Sequence, residues 1–213
     1  VGGNADVTPV VLPDVVVIDL YFGSGTNPLG FSNPGLTNES ASGDTYDYTY
    51  SYEDPVTKEP KTTTFPIVVC RGTPEDGAFG YRYFNTVNTS YGNKTPVVMF
   101  HKCTNGWIKA PAIEGYYLQT ISLSHGNTAD AQHMRIKDNP SNSSIAQMTL
   151  TKGGADGPAT MTVHFYTDGN DCNNASMNSN TTSISTAYYM IFAEKNQVID
   201  RLTFTYTKTL PTK

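Results

Sequence analysis

Apolar and polar positions alternate with a period of two through most of this 213-residue chain, and no segment long enough for a helix shows a 3.6-residue period. In "RLTFTYTK" Leu202, Phe204 and Tyr206 fall on one face, with Arg201, Thr203, Thr205 and Thr207 on the other. In "TMTVHFYT" Met161, Val163 and Phe165 oppose Thr162, His164 and Tyr166. Successive side chains of a strand point to opposite faces, so both segments read as half-buried strands with one wet face. "TYDYTYSY" does the same with aromatic residues, placing Tyr46, Tyr48, Tyr50 and Tyr52 together and Thr45, Asp47, Thr49 and Ser51 opposite. "AYYMIFAE" is largely apolar on both faces and reads as a central strand.

"VVVIDLY" (15–21) is the first clear strand, and others are expected at 63–70, 80–84, 96–102, 107–109, 116–125, 134–137, 145–151, 160–167, 187–194 and 198–207. Between them Gly, Pro, Asn and Asp mark turns and loops, above all at 23–44, at "EDPVTKEPK" and at "TDGNDCNNASMNSNTT" (167–182). So many short strands predict an all-β protein, a two-sheet antiparallel β-sandwich of jelly-roll-like form. Residues 1–14 read as a leading arm or linker, 15–208 as a single sandwich domain and 209–213 as a tail. A division of the domain into halves 15–105 and 106–208 is the alternative.

Composition sharpens this picture. Only 15% of residues are charged, against 18 Gly, 13 Pro and 14 Tyr, so Thr, Ser and Asn must keep the surface wet, as in an extracellular β protein. The net charge is −5 and the 14 basic residues are scattered, which disfavours nucleic acid and anionic membranes as partners. No apolar run approaches the roughly 20 residues of a membrane span, and the chain reads as one that begins after a removed export segment. Cys70, Cys103 and Cys172 form neither a zinc knuckle nor an even disulfide framework. Buried free thiols, or one bridge such as Cys70 to Cys103, stand as the two readings.

Pro111, Ala112, Ile113, Glu114, Gly115, Tyr116 and Leu118, then Tyr188 or Tyr189, Asn196, Ile199, Leu202, Phe204 and Tyr206, make up a pattern of turns and core positions. In these residues the chain resembles secreted or lipid-anchored β-sandwich proteins of gut Bacteroidetes. The segments "VIDLYFGSGTNPLGF" and "GAFGYRYF" extend it loosely over most of the chain. The resemblance implies the fold and a secreted or outer-membrane, cell-surface location, and an association with glycans.

Candidate chemistry is sparse. The sequence has no nucleophile elbow, no H-E-x-x-H and no phosphate-cradling loop. Glycoside cleavage needs two facing carboxylates, for which Glu114 with Asp130 or Asp168 are formal candidates and nothing more. No cofactor is expected. Asp168, Asn170 and Asp171 in the 167–182 loop can offer oxygens to a structural Ca²⁺, with an ordinary solvated loop as the alternative. The sole tryptophan, Trp107, is either core or a platform for a sugar ring, with Asn105, Lys109, Asn127 and Asp130 as polar partners. The expected function is therefore a non-catalytic, secreted or cell-surface carbohydrate-binding sandwich that binds a polysaccharide or surface glycan. A structural or adhesin-like surface protein, whose arm adds to another cell-surface chain, is the alternative, and a glycan-cleaving enzyme is the third reading.

Overall fold

The computed structural model describes residues 10–30, 43–75, 80–85, 96–125, 132–137, 146–150, 159–166, 169–172, 175–177, 189–192 and 196–212. Its first elements are β1 (Val15–Tyr21), β2 (Asp44–Glu53), β3 (Pro60–Cys70), β4 (Thr73–Pro74), β5 (Gly80–Phe84) and β6 (Val97–His101). There follow β7 (Cys103–Thr104), β8 (Gly106–Lys109), β9 (Tyr117–His125), β10 (Gln132–Lys137), β11 (Ala146–Leu150) and β12 (Ala159–Tyr166). The last are β13 (Gly169–Cys172), β14 (Ala175–Met177), β15 (Tyr189–Phe192), β16 (Asn196–Ile199) and β17 (Arg201–Thr207).

One large sheet runs β1-β17-β9-β12-β13 and the other β14-β11-β10-β15-β8-β3-β2, with a three-stranded sheet β16-β6-β5 and the small pair β4-β7 beside them. Every described pairing is antiparallel. No helix occurs among the described residues, so none is long and apolar enough to cross a membrane. The protein is an all-β sandwich, as the alternation predicts. Strands from both sides of position 105 are neighbours, β1 beside β17 and β3 beside β8.

Register turns the alternation into a core. Ile18, Phe204, Ile121 and Val163 stand opposite one another across β1, β17, β9 and β12 and are all fully buried. They belong to one cluster with Phe65, Ile67, Val69 and Ile108 of the second large sheet and with Tyr81 and Phe100 of the three-stranded one. Burying each such side chain contributes about 1.5–3 kcal/mol, and this apolar layer is what joins the sheets.

The tyrosine row of β2 lies on the edge strand of its sheet and meets β1, the edge strand of the other. Tyr46, Tyr48 and Tyr50 pack half-buried against the core while Thr45, Asp47, Thr49 and Ser51 are exposed. The amide of Asp19 donates to the Tyr48 hydroxyl at 3.2 Å, and the Tyr50 hydroxyl lies toward the amide of Val17. Phenols thus cap amides of β1 that have no strand beside them. Tyr46 meets the buried Tyr81 hydroxyl at 2.6 Å, and Tyr81 donates to Asp44 at 2.8 Å.

Several bounds differ from the sequence reading, each through tertiary pairing. The 167–182 segment contains β13 and β14, because β12 and β11 offer them partners despite a turn-rich composition. β3 begins at Pro60, inside the expected turn, where Glu53 pairs with Pro60 and Tyr52 with Lys61. The run 198–207 is two strands: Ile199 pairs with Val98 of β6, Arg201 pairs with Ser124 of β9, and the chain changes sheets at Asp200. Cys70 and Cys103 are buried and neither is in a disulfide, and burial pushes the Cys70 thiol up. Cys172 is described by its backbone only.

At the β2–β3 turn the buried Asp54 carboxylate accepts from the amides of Val56 (2.8 Å) and Thr57 (2.9 Å) and pairs with the Lys61 ammonium. The Lys61 hydrogen bond, then the two amides, hold the Asp54 carboxyl well below the usual carboxylate range, and Asp54 raises Lys61 in return.

Two predictions follow from these contacts. Tyr48→Phe and Tyr50→Phe each remove one cap from β1 and should each cost about 0.5–1.5 kcal/mol in denaturant titration. The double variant should self-associate in sedimentation as the edge opens; a monomer of unchanged stability would show that the caps contribute nothing. For the Asp54 turn, a depressed carboxylate stabilises the fold above its unfolded value near 3.9 and loses that contribution as pH falls through and below it. Asp54→Asn should therefore be less stable than the parent at pH 6 and should flatten the acid limb of the stability curve. Parallel curves from pH 6 to pH 2 would sink this assignment.

Candidate functional site

The change of sheet at Asp200 builds a depression on the outer face of the β1-β17-β9-β12 sheet. The Asp200 amide donates to the Ser124 carbonyl at 2.9 Å, and its carbonyl accepts from Phe22 at 2.9 Å and Gly23 at 3.2 Å. These bonds tie the end of β1 to β9 and fold the Asp200 side chain inward, where the residue is 5% exposed. The Ser124 hydroxyl donates to its carboxylate at 3.4 Å. Gly23 leaves room for that carboxylate: a Cβ there would sit 2.0 Å from Asp200 Oδ1 and 2.7 Å from Tyr21 Cε2.

Around this floor stand Tyr21, Ser122, Ser124, Arg201 and Thr203, enclosing about 370 Å³. Tyr21 is 37% exposed, and the Arg201 guanidinium lies 4.8 Å from its ring centroid. Arg201 also grips Asp19 with two parallel bonds, Nε to Oδ1 at 2.7 Å and Nη2 to Oδ2 at 2.5 Å, while Thr203 donates to Asp19 at 3.1 Å. The Asp19 hydrogen bond raises the already high basicity of Arg201, which stays charged throughout. On a half-exposed surface such a pair contributes up to about 1 kcal/mol. Its larger effect is to fix the guanidinium over the ring.

Beyond Arg201 the outer face is rich in hydroxyls. Asp19, Thr203, Ser122 and Thr162 form one cross-strand row, and Val17, Thr205, Thr120 and His164 the next. Thr162 donates to Ser122 at 3.0 Å. A hydroxyl carries one donor and two acceptor sites, so hydroxyls already bonded within a row can still serve a ligand. The arrangement can bind a polyhydroxylated molecule.

The residues singled out in the sequence fall elsewhere. Trp107 is half-buried on the outer face of the seven-stranded sheet, its Cη2 3.1 Å from the place of a Cβ on Gly43, which has φ +102°. Lys109, two residues on, shares that face and is half-buried, while Asn105 is exposed in a left-handed conformation (φ 57°) just before β8. Asn127, Asp130 and Asp168 lie outside the described residues. Asn170 and Asp171 sit on β13 opposite Phe165 and His164, described by backbone only. Among the described residues no group of three or more His, Cys, Asp or Glu side chains can hold a metal. Glu114 is exposed at position two of a turn closed by Tyr116 N to Ile113 O at 3.1 Å, with Gly115 at φ +77° supplying the third position.

Tyr21, Arg201 and Ser122 were not picked out by sequence reasoning. The alternation marked the face they share, but Asp19 and Arg201 are 182 residues apart in sequence, and only sheet register makes them neighbours. No protein-family model and no curated protein matches this chain.

The tight seat of Asp200 gives a direct test. Gly23→Ala forces its Cβ onto the carboxylate and the Tyr21 ring, so it should lower stability by about 1–3 kcal/mol through overpacking, read from the urea midpoint. A loss below about 0.5 kcal/mol would show that the corner yields freely.

Proposed function

We propose that this chain is a non-catalytic, secreted or cell-surface β-sandwich that binds carbohydrate. The observation that supports it is the Tyr21–Arg201 depression opening onto a hydroxyl-rich face. Sugar rings combine apolar C–H faces with hydroxyls, and an aromatic edge beside fixed donors and acceptors suits both. The resemblance to Bacteroidetes surface proteins read from the sequence agrees with this reading and is what suggests a secreted or outer-membrane, cell-surface location. Affinity in the micromolar to millimolar range, about −8 to −4 kcal/mol, is what such an open site supports.

The adhesin-like reading rests on a different observation, the exposed apolar residues Val10, Val11, Val15, Val17 and Leu210. It is weakened by the anchoring of the described end of the arm, at residues 12–14. Pro13 accepts from the Tyr116 hydroxyl at 2.6 Å, Leu12 accepts from Lys208 at 2.9 Å, and the Asp14 carbonyl accepts from the Lys208 amide at 3.0 Å. The phenol caps on β1 count against a strand adding at that edge.

Affinity electrophoresis over plant, host and microbial polysaccharides, with analysis of released sugar, separates the readings. Retardation should be lost in Tyr21→Ala, kept in Trp107→Ala, and accompanied by no released sugar, with both variants checked by circular dichroism. Loss only in Trp107→Ala would move the site to the other sheet. Sugar release would make the protein an enzyme, and retardation on no polysaccharide would favour the adhesin-like reading.

A further inference from the structure

Resting on the carbohydrate reading, we propose that the outer face of the β1-β17-β9-β12 sheet takes a neutral, extended glycan along its length, mid-chain, instead of a charged sugar or a chain end.

Charge argues for neutrality. Arg201 is the one cation among the residues described at the depression, and two of its N–H groups are committed to Asp19. The carboxylate of Asp200 lines the same floor, so one cation faces two anions on a chain of net charge −5. A uronate or a sulfate brought here would lose water and meet no free countercharge. A neutral sugar faces no such cost. Guanidinium N–H groups beyond the two used on Asp19 remain donors for its hydroxyls.

Shape argues for a mid-chain register. Recognition of a chain end needs a wall that stops the next sugar, whereas among the described residues the depression continues into further rows of strand side chains. Thr203 and Ser122 line the depression itself, and Thr205, Thr120 and His164 continue the face one row further along the strands. Four adjacent strands at about 4.8 Å spacing make a strip roughly 14 Å across, with rows roughly 6.8 Å apart along each strand. That footprint exceeds one sugar ring. Thr120, Ser122, Thr162, Thr203 and Thr205 are all half-buried on this face, and each hydroxyl has donor and acceptor sites for a ligand.

Calorimetric titration of the whole chain with dimer, tetramer and hexamer ladders cut from cellulose, xylan, mannan and starch tests this, with polygalacturonate and chondroitin sulfate as anionic probes. Affinity for at least one neutral ladder should rise about tenfold or more from dimer to hexamer, and borohydride reduction of the hexamer's end should change it by less than about twofold. Thr205→Val, a shape-conserving change two rows beyond Arg201, should weaken hexamer binding about twofold to tenfold, the range of one hydrogen bond. Neither anionic polymer should bind as tightly. A dimer as tight as the hexamer, or loss of binding on reduction, would overturn the mid-chain register, and tighter binding of an anionic polymer would overturn neutrality; the carbohydrate reading survives both. Binding to no probe at all overturns the inference and the carbohydrate reading together.

Discussion

The corner at Asp200 is the constraint on which the described surface depends. A strand that crosses from one sheet to another must release its backbone groups from one ladder before the next can take them, and a buried group left unpaired costs about 1–3 kcal/mol. Here the amide and carbonyl of the crossing residue are satisfied at once by Ser124, Phe22 and Gly23. That solution binds three strands into one joint. It also decides where the surface sinks: the residue that folds inward takes its carboxylate with it, and the next one, Arg201, is turned outward onto Tyr21.

A second joint closes the seam between β1 and β2. Two sheets packed face to face leave edge strands whose outward amides invite another chain. Instead of covering the β1 edge with a further strand, the fold points tyrosines at it from across the core. The stem of each ring adds apolar area to the interior while the hydroxyl reaches a backbone amide, so one side chain meets both requirements. A row of phenylalanines would bury as well and leave the amides without partners.

The periodicity of the sequence carried the fold because an alternating face is a local property: "RLTFTYTK" and "VVVIDLY" reveal their inner residues without reference to anything else. Leu202, Phe204 and Tyr206 are buried, as that pattern requires. Element ends were less legible, since Gly169–Cys172 becomes a strand only because β12 runs beside it. The site was hardest to read. Trp107 drew attention as a rare residue, yet rarity is not geometry, and its ring rests half-covered beside Gly43. Tyr21, by contrast, is one tyrosine among 14, and gains its position from Arg201 at the far end of the chain.

Threonine on the wet face follows from the same economy of charge. With few lysines and glutamates to spread over the surface, solubility falls to hydroxyls, and a β-branched residue also suits an extended backbone. On an antiparallel sheet this choice has a geometric result that it would not have on a loop or a helix. Register stacks the hydroxyls into rows, Thr203 beside Ser122 and Thr205 beside Thr120, with a repeat set by the backbone. A surface selected only for staying wet thereby presents an ordered array of donors and acceptors, and the Asp200 corner adds one aromatic ring and one fixed guanidinium at its end. The proposed recognition of a polyol would draw on that array.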